Sequence, residues 1–67
     1  MNAKNMTTQD IMDLVFSQNG TLTQSQYVDI YDNSPTLKSV FYEEDGKYQF
    51  ELVFEDKEES ILCNVIE

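Results

Sequence analysis

The chain has 67 residues, and a domain of that size buries only about 60% of the surface that its unfolded chain exposes. Thirteen acidic residues stand against four lysines, with no arginine or histidine, so the net charge is −9. This balance excludes a basic patch for phosphates, so direct binding to nucleic acid is not expected and a basic protein is the expected partner. No stretch approaches the ~20 apolar residues of a membrane span, which predicts a cytoplasmic protein that binds no membrane.

The chain begins with a polar stretch that leads into a helix. Residues 1–6 are expected to be the frayed end of a single domain that spans residues 1–67. Two threonines that can cap a helix follow, and apolar residues then recur at i, i+3 and i+4. Asn19 and Gly20 supply a left-handed stop. These signals predict a helix over about residues 9–17 that covers one face of a sheet.

The next segment, about residues 24–31, fits two kinds of structure. Thr23 and Gln26 have the spacing of a capping box, which favours a second short helix. Tyrosine, valine and isoleucine are also common in strands, and the Asn33-Ser34-Pro35 turn suits either element. The sequence leaves helix and strand open here.

An Asp45-Gly46 pair between two alternating apolar runs predicts a β-hairpin with a two-residue turn. Together with a later apolar run it gives a three-stranded antiparallel meander over about residues 37–43, 47–54 and 60–66, and an α+β fold with the first helix on one face. The turn predicts the cross-strand pairs Glu44–Lys47, Tyr42–Gln49, Phe41–Phe50, Val40–Glu51, Ser39–Leu52 and Leu37–Phe54. The meander adds the pairs Phe54–Ile61, Leu52–Cys63 and Phe50–Val65.

This register assigns each strand residue to one face of the sheet. The inner face receives Leu37, Ser39, Phe41, Tyr48, Phe50, Leu52, Phe54, Ile61, Cys63 and Val65. The outer face receives an apolar set that is a candidate partner or dimer interface: Val40, Tyr42, Val53, Leu62 and Ile66. Such a face is unusually apolar for one that meets solvent. Three alternatives stay open: residues 21–35 fold over it, a partner or second copy covers it, or it is exposed.

The residue types for enzyme chemistry are missing from the sequence. Without histidine the usual nucleophile and base arrangements cannot be built, and a lone cysteine cannot form a zinc site. The acidic residues around Asp45 fail the spacing of a calcium loop. We therefore expect no enzyme, no cofactor and no metal, and we expect Cys63 to be a small core residue.

The acidic residues are concentrated at the two ends of the predicted hairpin, roughly 26 Å apart for a strand of about eight residues. The candidate partner-binding acids are Glu43, Glu44, Asp45, Glu51, Glu55, Asp56, Glu58, Glu59, Asp29 and Asp32. Such spacing can imitate backbone phosphates and attract the basic groove of a nucleic-acid enzyme. The sequence thus predicts a DNA-mimic inhibitor, such as an anti-CRISPR or anti-restriction protein of a phage or other mobile element.

Two other interpretations stay open. A small regulatory, adaptor or antitoxin-like protein would bind through the apolar outer face and use its charge for solubility. In the second interpretation the acidic residues are solvated turn residues that also protect strand edges and bind no partner.

Overall fold

A computed structural model of the chain describes residues 2–44 and 48–67 and shows the predicted α+β class. Its elements are α1 (Thr8–Ser17), β1 (Thr21–Thr23), α2 (Gln24–Asn33), β2 (Leu37–Glu44), β3 (Tyr48–Phe54) and β4 (Ile61–Ile66). The sheet has four strands in the order β1-β4-β3-β2. β1 runs parallel to β4, and the other neighbours are antiparallel. The predicted meander is therefore present and is extended by a strand that the sequence analysis missed.

Helix α1 begins and ends where local chemistry directs it. The Thr7 hydroxyl accepts a hydrogen bond from the Asp10 N–H at 3.1 Å, and the Asp10 carboxylate accepts one from the Thr7 N–H at 3.0 Å. At the other end Asn19 and Gly20 have φ angles of 60° and 78°, the left-handed conformation that stops a helix. The Gly20 N–H donates to the Val15 carbonyl at 2.8 Å. Both predicted helix signals are confirmed.

The ambiguous segment is a helix, α2. Thr23 and Gln26 form a second capping box, with the Thr23 N–H donating to the Gln26 side chain at 2.9 Å. The same amide exchanges hydrogen bonds of 2.9 and 3.0 Å with the Gln18 amide, which ties the start of α2 to the end of α1. This cap, rather than the β-prone residues behind it, decides the local structure.

Residues 2–6, for which the sequence predicts a frayed end, contact the rest of the domain. Ala3–Asn5 form a short 3₁₀ helix, and Ala3 is fully buried. The Ala3 N–H donates to the Asp29 carboxylate at 2.8 Å, so α2 supplies the partner that holds this segment. Met6 also packs against the core. The polar composition of this segment predicts fraying because it does not reveal contacts with residues far along the chain.

The predicted register of the first two meander strands is wrong by one residue. The predicted Asp45-Gly46 turn lies outside the described residues, but the strands beside it are described. Leu37–Phe54 is the predicted pair that the structure retains, and the register shifts between Leu37 and Ser39. The remaining pairs are Ser39–Val53, Val40–Leu52, Phe41–Glu51, Tyr42–Phe50, Glu43–Gln49 and Glu44–Tyr48.

This one-residue shift reverses the faces of β2 from Ser39 onward, because side chains alternate along a strand. Val40 and Tyr42, predicted on the outer face, pair with Leu52 and Phe50 and belong to the inner face. Ser39 and Phe41, predicted inside, belong to the outer face. The exposed fraction of Phe41 is 55%, in agreement with that position.

The pairing of β3 with β4 is offset by two residues from the prediction, which leaves the faces unchanged. Leu52 pairs with Ile61 and Phe50 pairs with Cys63. Ile61 and Cys63 consequently face the core as predicted, with exposed fractions of 7% and 1%. Burial raises the pKa of the Cys63 thiol to about 11, so the thiol stays protonated as a small apolar core residue.

Both helices pack on the inner face of the sheet. The core cluster combines residues from the 3₁₀ helix, both α-helices and the strands: Ala3, Ile11, Met12, Val15, Leu22, Ile30, Leu52, Phe54, Ile61 and Cys63. Leu22, the central residue of β1, is fully buried. The short strand β1 therefore belongs to the core as well as to the edge of the sheet.

Candidate protein-binding surfaces

The loop between β3 and β4 carries the densest group of described acidic residues. Residues 55–59 are all exposed. The loop is held at one end, where the Thr8 hydroxyl donates to the Asp56 carboxylate at 2.6 Å. The Thr36 hydroxyl lies 2.6 Å from that of Thr8 and has to donate to it, because Thr8 has a single hydroxyl proton. The Glu55 N–H also donates to the Thr36 carbonyl at 2.8 Å.

These contacts place the loop against the first turn of α1. That turn also carries Asp10, which is exposed and caps the helix. The acidic end of the molecule thus combines Asp10 with Glu55, Glu58 and Glu59. The sequence places Asp10 in the first turn of the helix, but its place beside the loop depends on the Thr8–Asp56 hydrogen bond between residues far apart in the chain.

Other predicted acidic residues are spread over different surfaces. Asp29 accepts hydrogen bonds from the Ala3 N–H and, at 2.8 Å, from the Asn33 amide, so it has a structural role. Glu51 is half-buried on the outer face of the sheet and accepts a hydrogen bond from the Ser60 hydroxyl at 2.5 Å. Asp32 is exposed near the end of α2.

The second predicted acidic end is described in part. Glu43 and Glu44 lie at the end of β2, beside the start of β3 and thus opposite the β3–β4 loop. Asp45 lies outside the described residues. The strand topology thus places Glu43 and Glu44 at one end of β3 and the loop of residues 55–59 at the other. Asp29 and Glu51 belong to neither of these acidic ends.

The outer face of the sheet keeps an apolar strip, with a changed membership. Leu62 is 51% exposed and, like Phe41, pairs with Glu51 across β3. Val53, as predicted, lies on this face and is half-buried. The described residues leave the strip open to solvent. Phe41 is therefore the outer-face residue that the wrong register concealed.

The inner face contains a cleft that the sequence analysis did not predict. Helix α2, strands β3 and β4 and the end of the described chain enclose a volume of about 450 Å³, here called the open cleft. Its lining residues are Gln24, Tyr27, Val28, Phe50, Val65, Ile66 and Glu67. Of the residues predicted for the outer face, Ile66 lines this cleft at the end of β4, and its exposed fraction is 50%.

Aromatic side chains continue the cleft across the sheet. The ring centroids of Tyr27 and Phe50 are 4.7 Å apart, and those of Phe50 and Tyr42 are 5.1 Å apart. Tyr31 extends the row on α2 at 6.0 Å from Tyr27. Desolvation, with smaller contributions from Tyr31 and Cys63, raises the pKa of Tyr27, so its phenol remains neutral and packs as an amphipathic ring.

Neither a metal cluster nor a membrane helix is found in the part of the chain that the structure describes. No group of three or more His, Cys, Asp or Glu in residues 2–44 and 48–67 is arranged to hold a metal ion. Within the same ranges no helix is both long and apolar enough to cross a membrane. Comparisons with models of protein families, with curated proteins and with solved structures find no match. The surfaces are therefore interpreted from their own residues.

Proposed function

We propose that this protein is an inhibitor that binds a basic partner and occupies a site where the partner normally binds nucleic acid. The observation that carries the proposal is the exposed acidic loop of residues 55–59, anchored beside the first turn of α1. A loop that is held at one end has fewer backbone conformations to lose, so less conformational freedom is lost on binding. The net charge of −9 adds long-range attraction toward a basic groove.

This mode of action corresponds to the DNA-mimic inhibitors that phages and other mobile elements use against restriction or CRISPR enzymes. The protein itself would perform no catalysis and would need no cofactor. Its effect would come from competition, because counterion release drives the same basic groove toward DNA and toward an acidic protein surface. Such a partner would place the protein in the cytoplasm.

Capture of partners from a cell lysate, followed by their identification, tests the proposal. The double change Glu58→Lys and Glu59→Lys should reduce capture at least tenfold, and high salt should have the same effect. Lys57→Glu in the same loop should increase capture, which makes it a matched change of opposite sign. Nucleic acid added in excess should displace the protein from its partner.

Two results would contradict the inhibitor function. One is a captured partner that keeps its nucleic acid in the complex. The other is capture that is indifferent to salt and to all three substitutions in the loop. The first result would exclude competition for the nucleic-acid site, and the second would show that the acidic loop does not contribute to binding.

The exposed apolar strip supports a second candidate function, that of a small regulatory or adaptor protein. Phe41 and Leu62 are more than half exposed on a face that the described helices do not cover. A partner or a second copy of the chain would remove this apolar area from water. For this function Leu62→Asp should abolish binding, and the loop substitutions should change it little. Analytical ultracentrifugation of the wild type and of Leu62→Asp separates a homodimer from a hetero-complex.

A further inference from the structure

The inner face of the sheet continues beyond the helices that cover it. Along β3, Phe54 and Leu52 have exposed fractions of 2% and 0%, whereas Phe50 is half-buried. Along β4 the fully packed Cys63 is followed by Val65, which is half-buried. These five side chains all point to the inner face of the sheet. The difference in their exposure therefore comes from the helices that cover this face and not from the strands.

Helix α2 presents a partly exposed stripe beside this part of the sheet. Gln24, Tyr27 and Val28 line the open cleft, and Tyr31 extends the stripe through its ring contact with Tyr27. These positions are spaced i, i+3, i+4 and i+7, the pattern through which one helix packs against a neighbouring helix. Val28 and Tyr31 are 47% and 60% exposed, so the neighbour is absent from the described chain.

We propose that the open cleft binds an amphipathic helix with basic flanks that belongs to the partner protein. A helix laid beside α2 would contact the stripe on one side and Phe50 and Val65 below it, and would complete the helical layer over the sheet. The cleft meets side chains of the sheet face and not the backbone of an edge strand. That geometry favours a helix over an added strand.

Charge complementarity determines the chemistry of the helix. Glu67 is the charged residue among those that line the cleft, and Asp32, four residues after Val28, flanks the stripe on a helix that carries no basic residue. A second copy of this chain would bring a further charge of −9 to the same place and is disfavoured by repulsion. A helix with apolar residues on one face and lysine or arginine beside them matches both the lining and the rim.

The test uses a short synthetic peptide with leucine at i, i+3, i+4 and i+7 and lysine elsewhere. Its controls are an analogue with glutamate in place of lysine and an analogue with prolines that prevent a helix. Fluorescence anisotropy gives the dissociation constant, and NMR chemical shifts of the backbone amides give the site. We expect the helical basic peptide to bind and to shift the amides of Val28, Phe50 and Val65.

Two residues of β4 supply a matched pair of variants. Ile66 lines the cleft and Leu62 lies on the outer face, and their exposed fractions are 50% and 51%. Ile66→Ser combined with Val28→Ser should weaken peptide binding about tenfold, since half-buried apolar contacts are lost. Leu62→Ser should leave the affinity within about twofold. All three side chains are about half exposed, and circular dichroism checks that the variants fold.

Several outcomes would overturn the proposal. These are no binding by the helical basic peptide, equal binding by either control peptide, and a larger loss from Leu62→Ser than from the cleft variant. A dimer of the free protein that the cleft variant dissociates would identify a second copy as the occupant and would also overturn it.

The proposal rests on the proposed function for the basic character of the partner, and the two can fail separately. If the cleft variant still captures the natural partner while the loop variant does not, the cleft proposal fails and the inhibitor function stands. If the cleft variant loses both the peptide and the natural partner while the loop variant binds normally, the inhibitor function fails and the cleft proposal stands.

Discussion

The two ends of the inner sheet face have the same apolar character and very different surroundings. At the closed end, formed by Leu52, Phe54 and Ile61, side chains are at most 7% exposed and belong to the core cluster. At the other end Phe50 and Val65 are half-buried and line the open cleft. Both ends lie on the same two strands, β3 and β4. They differ in how far the helices cover them.

This difference shows that the apolar residues of the inner sheet face extend beyond the part of the face that the helices cover. Tertiary packing explains the closed end, because burial there removes apolar surface from water. Burial within the domain does not explain the apolar residues of the cleft, because they stay partly exposed. A small domain gains little from apolar residues that it leaves half exposed, and such residues are typical of binding surfaces.

Truncation of one residue at each end gives the largest expected effect and tests the comparison directly. Leu52→Ala should lower the free energy of unfolding by about 3 kcal/mol through lost burial and a cavity, whereas Phe50→Ala should lower it by about 1 to 2 kcal/mol. Urea denaturation followed by circular dichroism measures both. Equal losses at the two positions would show that the open end contributes to stability as the closed end does.

Alkaline pH should lower the stability of the domain through Cys63, a buried core residue that pairs with Phe50. Burial raises the pKa of this thiol from 9.0 to about 11, so the folded state holds the proton more tightly than the unfolded chain. The stabilisation is complete below the unfolded pKa and is lost as pH rises from there toward about 11, a loss of about 2 kcal/mol.

Urea denaturation over this pH interval, for the wild type and for Cys63→Ala, measures the contribution of the thiol. Tyr27 also has a raised pKa and contributes with the same sign, but it is present in both proteins. The difference between them therefore isolates Cys63. If the two proteins lose stability in parallel as pH rises, the thiol is not the cause.

A smaller effect is expected where the closed end meets the acidic loop. Thr8→Val keeps the shape of a side chain that is 1% exposed but removes the hydroxyl that donates to Asp56. We expect a loss of about 1 kcal/mol in the free energy of unfolding. Glu58→Gln, at an exposed position of the same loop, is the control and should change stability by less than about 0.5 kcal/mol. A Thr8→Val protein as stable as the wild type would show that the loop is not anchored there.

Sequence reasoning was successful where the signals are local. The capping threonines and the left-handed stop at Asn19 and Gly20 place α1, because each depends on residues within one turn. The capping-box spacing of Thr23 and Gln26 favours the helix that α2 forms, although the sequence leaves a strand open there. Alternation assigns β3 and Ile61, Leu62 and Cys63 of β4 correctly to the two faces, and an offset of two residues in their pairing leaves that assignment intact, whereas Ile66 at the end of β4 lines the cleft.

The failures concern features that depend on distant residues or lack a local mark. Strand β1 has three residues, too few for a periodic pattern, and its partners Asn64, Val65 and Ile66 lie far along the chain. In β2 the consecutive apolar residues 40–42 fit either phase of alternation. The irregularity between Leu37 and Ser39, which has no mark in the sequence, therefore determines which of them face the core. The open cleft combines both problems, since its residues come from α2, β3 and β4.

The parallel pairing of β1 with β4 also orders the folding of the chain. The β2–β3 hairpin joins neighbouring strands, whereas β1 borders the sheet only through β4, and a long loop has to close before these two strands can pair. We therefore expect β1 to dock late and to detach first, and faster amide exchange at Leu22 than at Leu52 would reveal this sequence of events. Since Thr23 ends β1 and caps α2, we expect the wall of the cleft to be completed only when β1 docks.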